Sequence, residues 1–552
     1  MSKKRKNVVT MILSFIFTIF LTIGSSFIIS DSLDAVIKHP IITMLMMVIS
    51  FIILNAIITF LFNKLDNYEV KEKKNDKKTG FISKMIDKHP FWFSLIVILL
   101  FWLIYIIAFY PAIMSPDPSF QILQFFGIDN KYSTYVNLID KSVIITNHHP
   151  VIHTLLIGSC VKLGVSIFNS TNAGLFIYSI IQTLILASTL SYTIKFLKEI
   201  NVSVNVRKAV LLIYALVPVF PFYAMSPVKD VIFGCLIILY IISIYKFIKL
   251  KNKINVKTMI KEIILMILIT LFRNNGIHII ILSFPFLLLL GRKNLMKYLI
   301  IFIVVVLSYF TYDKVILPHF KITPGSVREM LSIPFQQTAR YVIKNDDKIP
   351  EKDKKAIDKI LEYDTLKKRY DPEKADDVKN KFNKDATDRD LKNYFIVWFK
   401  ELKDDPKTYV EATLNNTYGY FYPVKTNWYI YVNENKTINN YGFDYHFNNL
   451  NVLRSALMVY GLIFPYIPFL GLIVNIGFNT WILLFMMAYL IYRKKYKEII
   501  YLIPSIIVLL VCFASPVNTY FRYALPNVFA MPTMLLIFLN IRKEESLNEK
   551  NW

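Results

Sequence analysis

Three histidines and one isolated aspartate are the groups in this chain best suited to moving protons or holding ions. His148, His149 and His153 fall in Asn147-His-His-Pro-Val-Ile-His153, and Asp117 lies upstream in Tyr110-Pro-Ala-Ile-Met-Ser-Pro-Asp-Pro-Ser-Phe-Gln121. A carboxylate held at a membrane face can act as a general base on a hydroxyl or as a metal ligand. His149 and His153 are four residues apart, and Pro150 suits a first helical turn, so both would share one helix face. That spacing can hold a divalent cation, Mn²⁺ or Mg²⁺, with Asp117 as a further ligand. Plainer readings stand beside these. Pro-Asp-Pro forms turns, histidines at a crowded helix start hydrogen-bond to neighbouring loops, and Asn147 or His148 can cap the helix.

Three more polar groups sit at the ends of apolar runs. Lys229-Asp230 is either an ion pair that fixes a turn or a carboxylate beside a phosphate-binding lysine. Arg273 and Arg522, the latter with Tyr520, Tyr523 and Pro526 beside it, can clamp a lipid-linked phosphate or reach to lipid headgroups. The run Tyr370-Asp-Pro-Glu-Lys-Ala-Asp-Asp377 lacks the glycine and terminal glutamate of a Ca²⁺ loop and reads as a solvated acidic turn. No phosphate-binding glycine loop, dinucleotide fingerprint, nucleophile elbow or zinc signature is present.

These residues need a frame, and composition supplies it. Fifty-five per cent of the 552 residues are hydrophobic, far above a soluble domain of this size. Apolar runs long enough to span hydrocarbon recur along the chain. The fold class is an all-α polytopic membrane protein with about twelve transmembrane helices. Spans are expected near 8–30, 40–62, 90–110, 173–194, 208–225, 229–249, 257–272, 275–290, 297–316, 477–492, 499–515 and 524–541. The formal charge of +25 does not mark a nucleic-acid binder, because the excess lies in short connections between spans. The segment 317–455 is near neutral, with 24 Lys and Arg against 21 Asp and Glu. Cys160, Cys235 and Cys512 are scattered in apolar stretches, which argues against a disulfide or thiol role.

Basic residues orient the chain. Lys3-Lys4-Arg5-Lys6 and the linker 63–89 belong in the cytoplasm, so the loop 111–172 is external. If Val151–Phe168 crossed, the basic turns 195–208, 249–261 and 292–293 would lie outside. If it lies along the outer face instead, all three are cytoplasmic. The same logic makes Ala456–Leu472, with Pro465 and Pro468, an outer-face segment. Both termini are then cytoplasmic. The chain divides into 1–89 (two spans and a basic linker), 90–316 (a membrane module carrying the loop 111–172), 317–455 (a small, mostly helical external domain) and 456–552 (C-terminal spans and a short tail). Within 317–455, Asp405 with Pro406 reads as a helix start, and Asp388 or Asp390 can cap a helix whose Phe395, Trp398 and Phe399 share a face.

The order of these features resembles the GT-C superfamily of membrane glycosyltransferases: an external Asp117, a helix start at His149-Pro150, an external Lys229-Asp230 turn, then Arg522-Tyr-Ala-Leu-Pro526. Val151 replaces the second proline of that superfamily's His-Pro-Pro-Leu pattern, and its paired acidic motif is absent. More closely, residues from about 100 to 530 resemble an uncharacterised bacterial polytopic family. The shared motifs are the Asp…Gln loop, Asn-His-His-Pro, Lys-Asp, Arg-Asn-x-Gly and Glu329-Met-Leu-Ser-Ile-Pro-Phe-Gln336-Gln337.

The resemblance implies an enzyme of the bacterial cell membrane that moves a sugar from a polyprenyl-phosphate donor to an envelope glycan or protein acceptor on the outer face. Asp117 would be its general base. Gln121, His149, His153, Lys229, Asp230, Arg273, Arg522 and Tyr523 would bind substrate. Membrane lipids are the other implied partner. The competing classes are a transporter or flippase of envelope precursors, which predicts ionisable residues inside spans, and a non-enzymatic assembly protein that uses 317–455 to bind an envelope partner.

Overall fold

The computed structural model describes residues 3–67, 80–249, 254–290, 294–424, 429–431, 435–445, 447–515 and 517–550. Part of the basic linker 63–89 and the basic turns at 250–253 and 291–293 lie outside these residues. The chain is all-α. Its strands, among the described residues, are Thr146–Asn147 and Thr323–Pro324, two residues each and paired in parallel.

Among the described residues, eight helices are long and apolar enough to cross a membrane: Lys4–Ser30, Pro40–Asp66, Pro90–Ala108, Val151–Phe168, Thr171–Glu199, Lys229–Lys249, Leu295–His319 and Phe521–Lys543. Gly276–Leu288, Ile476–Tyr492 and Glu498–Phe513 are apolar but shorter. The protein is therefore of the multi-pass membrane type. Local chemistry sets the helix starts. Proline opens Pro40–Asp66, Pro90–Ala108 and Pro116–Phe125, where its missing N–H costs nothing. Ser170, Asn255 and Asn475 cap others through their side-chain oxygens. The span expected over 208–225 is broken: Val204–Leu216 ends at Val217, whose ψ is 121°, and Pro218 starts the short helix Val219–Ala224. A residue before proline is driven out of helical geometry, and this one is.

The bundle has two chemically distinct ends. At one, Lys6 pairs with Asp66 (2.8 Å), and Asp66 also accepts from the Tyr489 and Tyr492 hydroxyls at 3.0 and 2.9 Å. Arg542 donates to the Asp66 carbonyl at 2.5 Å, and Lys198 and Arg207 reach Ile86 and Asp87 at the end of the Phe81–Lys88 helix. This basic end gathers residues 5–6, 63–66, 83–88, 198–208 and 491–496. The opposite end holds Asp117, the Lys229 turn, Asn274, Ser515 and residues 517–522.

Both ends of Val151–Phe168 are tied to loops. The Asn147 carbonyl, just before it, accepts from Asn274 Nδ2 at 2.8 Å. Thr171 and Asn172, just after it, donate to the Gly442 and Asp444 carbonyls. Residues 438–445 in turn pack with Ala112 and Met114. The helix folds back along Thr171–Glu199 at glycine contact: a Cβ on Gly164 would sit 2.1 Å from the Gly174 nitrogen.

The region 317–455 contains its own apolar core, built on Phe335, Ala339, Val342, Ile357, Leu361, Val378, Tyr394 and Tyr409. That core stops near Tyr409. Tyr418, Phe421 and Tyr422 pack instead against Phe27 of the N-terminal helix, and Tyr429 and Ile430 join the main bundle core. The compact domain is thus shorter than 317–455, because the aromatic run after it is spent on the membrane bundle. Asp405 caps Pro406–Asn415 as expected, accepting from Thr408 N at 3.1 Å. The preceding helix is capped by Thr387 rather than Asp388 or Asp390, with Asp390 completing a capping box. Its buried face is Tyr394, Val397 and Glu401, while Phe399 is exposed.

Candidate functional site

Asp117 stands at the second position of the Pro116–Phe125 helix, after Ser115. The flanking prolines fix the backbone, and the apolar residues Ile122 and Leu123 bury the helix against the bundle. Asp117 is 7% exposed. Two cations that the chain brings from far away meet at its Oδ2, which accepts from Lys229 Nζ at 2.9 Å and forms an ion pair with Arg522 Nη1 at 2.7 Å. Its Oδ1 accepts from the Tyr132 hydroxyl at 3.3 Å. Burial alone would raise this carboxyl, but the charges of Arg522 and Lys229 outweigh it and hold the group well below the usual carboxylate range.

His149 completes the group. Lys229 Nζ lies 3.1 Å from its Nδ1, and that nitrogen is 3.8 Å from Asp117 Oδ2. Burial and the Lys229 charge push this imidazole well below its ordinary range, so it is neutral. An ammonium can only donate, so Nδ1 is the acceptor and the ring proton sits on Nε2. That Nε2 is buried and has no hydrogen-bond partner.

Arg522 is held over the Tyr520 ring at 4.6 Å and near Tyr523 at 5.5 Å. Tyr523 also meets Arg273, at 4.8 Å, and Arg273 pairs with the fully buried Asp230. Lys229 and Asp230 therefore do not pair with each other. One faces Asp117 and the other Arg273. His153 is elsewhere: its Nδ1 meets Gln121 Oε1 at 3.0 Å and its Nε2 meets the Tyr178 hydroxyl at 2.6 Å. Tyr178 donates to Gln182 Oε1 at 3.0 Å, and Gln182 Nε2 donates to the carbonyls of Tyr223, Ala224 and Ser226. Gln121 and His153 thus form a buried strut between the Asp117 helix and the turn that carries Lys229.

The proposed metal set does not assemble. Pro150, not Asn147 or His148, holds the cap position, so His149 precedes the helix and cannot share a face with His153. The Lys229 ammonium lies between Asp117 and His149, where a bound cation would have to sit. Among the described residues no three His, Cys, Asp or Glu side chains gather as metal ligands would.

Several site residues carry no signal in the sequence. Tyr132 bonds Asp117 and stacks on His148, with ring centroids 4.0 Å apart. Glu329 lies 3.8 Å from His148 and accepts from Lys379 at 2.6 Å. Burial opposes the Glu329 charge, but Lys379 and His148 keep its carboxyl below the usual range. Arg328 covers the Tyr135 ring at 3.3 Å. The 370–377 run is not simply solvated. The Glu373 carboxylate accepts from the Tyr418 hydroxyl at 2.5 Å, and the Asp371 carbonyl accepts from Gln336 Nε2 at 2.7 Å. Only the motif at Glu329–Gln337 pointed toward this wall of the site.

Buried polar atoms nearly always find partners. Around this group His149 Nε2, Arg522 Nε, Asp230 Oδ2 and Asn147 Oδ1 have none. Of these, His149 Nε2 and Arg522 Nε are donors beside convergent cations, a set chemically suited to an anion, whereas Asp230 Oδ2 and Asn147 Oδ1 are acceptors. No curated protein and no solved structure matches the chain. A family model described as a family of unknown function (DUF6020) matches residues 6–551, nearly the whole length, and the protein belongs to that family.

Proposed function

We propose that the protein is a glycosyltransferase of the bacterial cell membrane that uses a polyprenyl-phosphate-linked sugar and an envelope acceptor on the outer face. The observation that carries this is the convergence of Lys229 and Arg522 on one oxygen of Asp117. It puts phosphate-binding cations and a potential proton acceptor in one place. The GT-C resemblance of the motifs supports the same reading. Lys and Arg favour the cytoplasmic side, so the basic end lies inside and the Asp117 end outside. That topology has twelve spans, cytoplasmic termini, and Val151–Phe168 and 456–472 on the outer face.

In the reaction, an acceptor hydroxyl attacks the anomeric carbon and the bond from that carbon to the phosphate oxygen breaks. The lipid phosphate leaves with the electron pair, stabilised by Lys229 and Arg522. Asp117 takes the acceptor proton. Arg273 and Tyr523 support the far side of the same cation group. Mass spectrometry of envelope glycans and polyprenyl-phosphate sugars, in cells with and without the protein, tests this. Loss of one glycan with accumulation of one lipid-linked sugar is the expected result. Unchanged profiles refute it.

One observation favours a second reading, a transporter. Glu262 lies within Val256–Phe272, is buried, and bonds only Ser243 through Oε1 at 2.5 Å, with Oε2 unpartnered. An ionisable group inside a span is what coupled transport needs. Glu262→Gln abolishing function while Asp117→Asn spares it would select this reading.

A further inference from the structure

Asp117 poses a problem that the transfer reading leaves open. A carboxylate held by two cations is a poor proton acceptor, because both cations stabilise its charged form. Yet the same two cations are the groups expected to hold a phosphate. One arrangement cannot serve both roles at once.

The geometry offers a resolution. Arg522 pairs with Asp117 through Nη1 at 2.7 Å from Oδ2, the oxygen that also accepts from Lys229, while its Nε faces no acceptor. A guanidinium built to bind a carboxylate usually does so as a two-pronged fork. Several donors meeting at one oxygen is how a phosphate oxygen is held. Stacking on Tyr520 and Tyr523 fixes the Arg522 plane whatever anion it faces. The other Asp117 oxygen has only the long Tyr132 contact at 3.3 Å. Two donors of the same group of residues are left over, His149 Nε2–H and Arg522 Nε–H, both buried and without partners. Asp117 and Asp230 stand against Lys229, Arg273 and Arg522, with His149 neutral, so the group carries one surplus positive charge (three against two). Stability does not explain it, since a buried ion pair is on average no better than well-packed apolar residues.

We infer that Asp117 is an internal counterion that a phosphate monoester or diester displaces, with Lys229 and Arg522 passing from its Oδ2 to the phosphate oxygens. His149 Nε2–H and Arg522 Nε–H, unused by the carboxylate, complete the phosphate shell. Once its cations have gone, Asp117 regains ordinary basicity next to the bound phosphate. The site is then armed by its own substrate, and a hydroxyl arriving first meets an unreactive carboxylate. This exchange deepens the transfer reading and rests on its anion site, but it concerns binding and can be tested without turnover.

The test uses the full chain in lipid nanodiscs, with geranylgeranyl monophosphate in one arm and inorganic phosphate in the other. Removing the competing internal anion should tighten binding. Asp117→Asn and Asp117→Ala are expected to bind the isoprenoid phosphate about tenfold more tightly than wild type, equivalent to about 1.4 kcal/mol. Arg522→Gln should weaken binding by at least that factor. Tightening confined to the isoprenoid arm identifies a lipid phosphate, and equal tightening in both arms identifies a free phosphate. Affinity that is unchanged or lower in both Asp117 variants overturns the inference. If neither variant folds, carbodiimide labelling of wild-type Asp117 decides: added phosphate should increase it, and no increase overturns the exchange. Tightened binding with unchanged envelope glycans would leave the exchange standing and remove the transferase reading.

Discussion

The backbone N–H of Asn518 donates to the carbonyl oxygen of Glu373 at 2.8 Å. Lys374 and Val517 form a bridge beside it, and the Glu373 carboxylate accepts from Tyr418 and from Asn518 Nδ2. Tyr420 adds bonds to Val517 O and from Tyr520 N. The turn that delivers Arg522 is therefore fastened by the region outside the bundle. Glu373→Ala removes a charged acceptor, worth about 1.5–3 kcal/mol. It should lower product yield about tenfold or more and increase proteolysis near 371–379. Glu373→Gln keeps the carbonyl acceptor and should retain most activity. Equal loss in both variants would show that the charge, not the fastening, matters.

Charge compensation around Asp117 gives a second test. Lys229→Met strips a buried carboxylate of one of its two counter-ions, and breaking a buried pair costs about 3–5 kcal/mol. The Asp117→Asn/Lys229→Met double variant leaves Arg522 buried without a carboxylate and should melt at a lower temperature than Lys229→Met alone, in which Asp117 and Arg522 still pair. Both should lose function by about 10²-fold or more. A double variant more stable than the single would show that Arg522 does not depend on the Asp117 charge.

Much of the frame was legible from the chain. Apolar runs end at prolines and caps, and the basic turns cluster at one end because charge bias and helix length are local signals. Asp117, His149, Lys229, Arg273, Arg522 and Tyr523 were singled out, and the structure brings them together. Which partner each takes was not legible. Lys229-Asp230 reads as a pair because the residues are adjacent, but successive residues on a helix point in different directions. His153 reads as a ligand from its spacing to His149, yet Pro150 starts the helix one residue too late for that spacing to matter. Tyr132 and Lys379 were invisible, because tertiary contacts alone place them, and Glu373 stood in a run that reads only as a solvated acidic turn.

Topology yields a third prediction. Asn147→Cys and Asn169→Cys, in a chain whose native cysteines are replaced, should both react with an impermeant thiol reagent in intact cells. So should Ser142→Cys and Lys359→Cys. Labelling of positions 147 and 169 from opposite sides would make Val151–Phe168 a true crossing and reverse the placement of every later turn.

A fourth concerns pH. Glu401 is buried, its Oε2 accepts from the Tyr409 hydroxyl at 2.9 Å, and its Oε1 is unpartnered. Burial pushes its carboxyl up to about 8 from an ordinary 4.5. Between those values the folded state holds a proton that the unfolded state has released, so stability falls as pH rises through that window. Glu401→Gln carries no titrating proton. Its melting temperature should vary less than wild type between pH 5 and 8, and the two slopes should differ in thermal scans. Identical slopes would place the titration elsewhere.

Asp66 has a consequence for biosynthesis. Its carboxylate gathers Lys6, Tyr489 and Tyr492, and its carbonyl waits for Arg542. The first hairpin leaves the ribosome with only Lys6 to answer that charge. The remaining partners, Tyr489, Tyr492 and Arg542, are made far later. This end of the bundle is therefore closed last, by the C-terminal helix, and a chain truncated before Tyr489 would leave the insertion machinery with an unlocked hairpin, a natural mark for quality-control proteolysis.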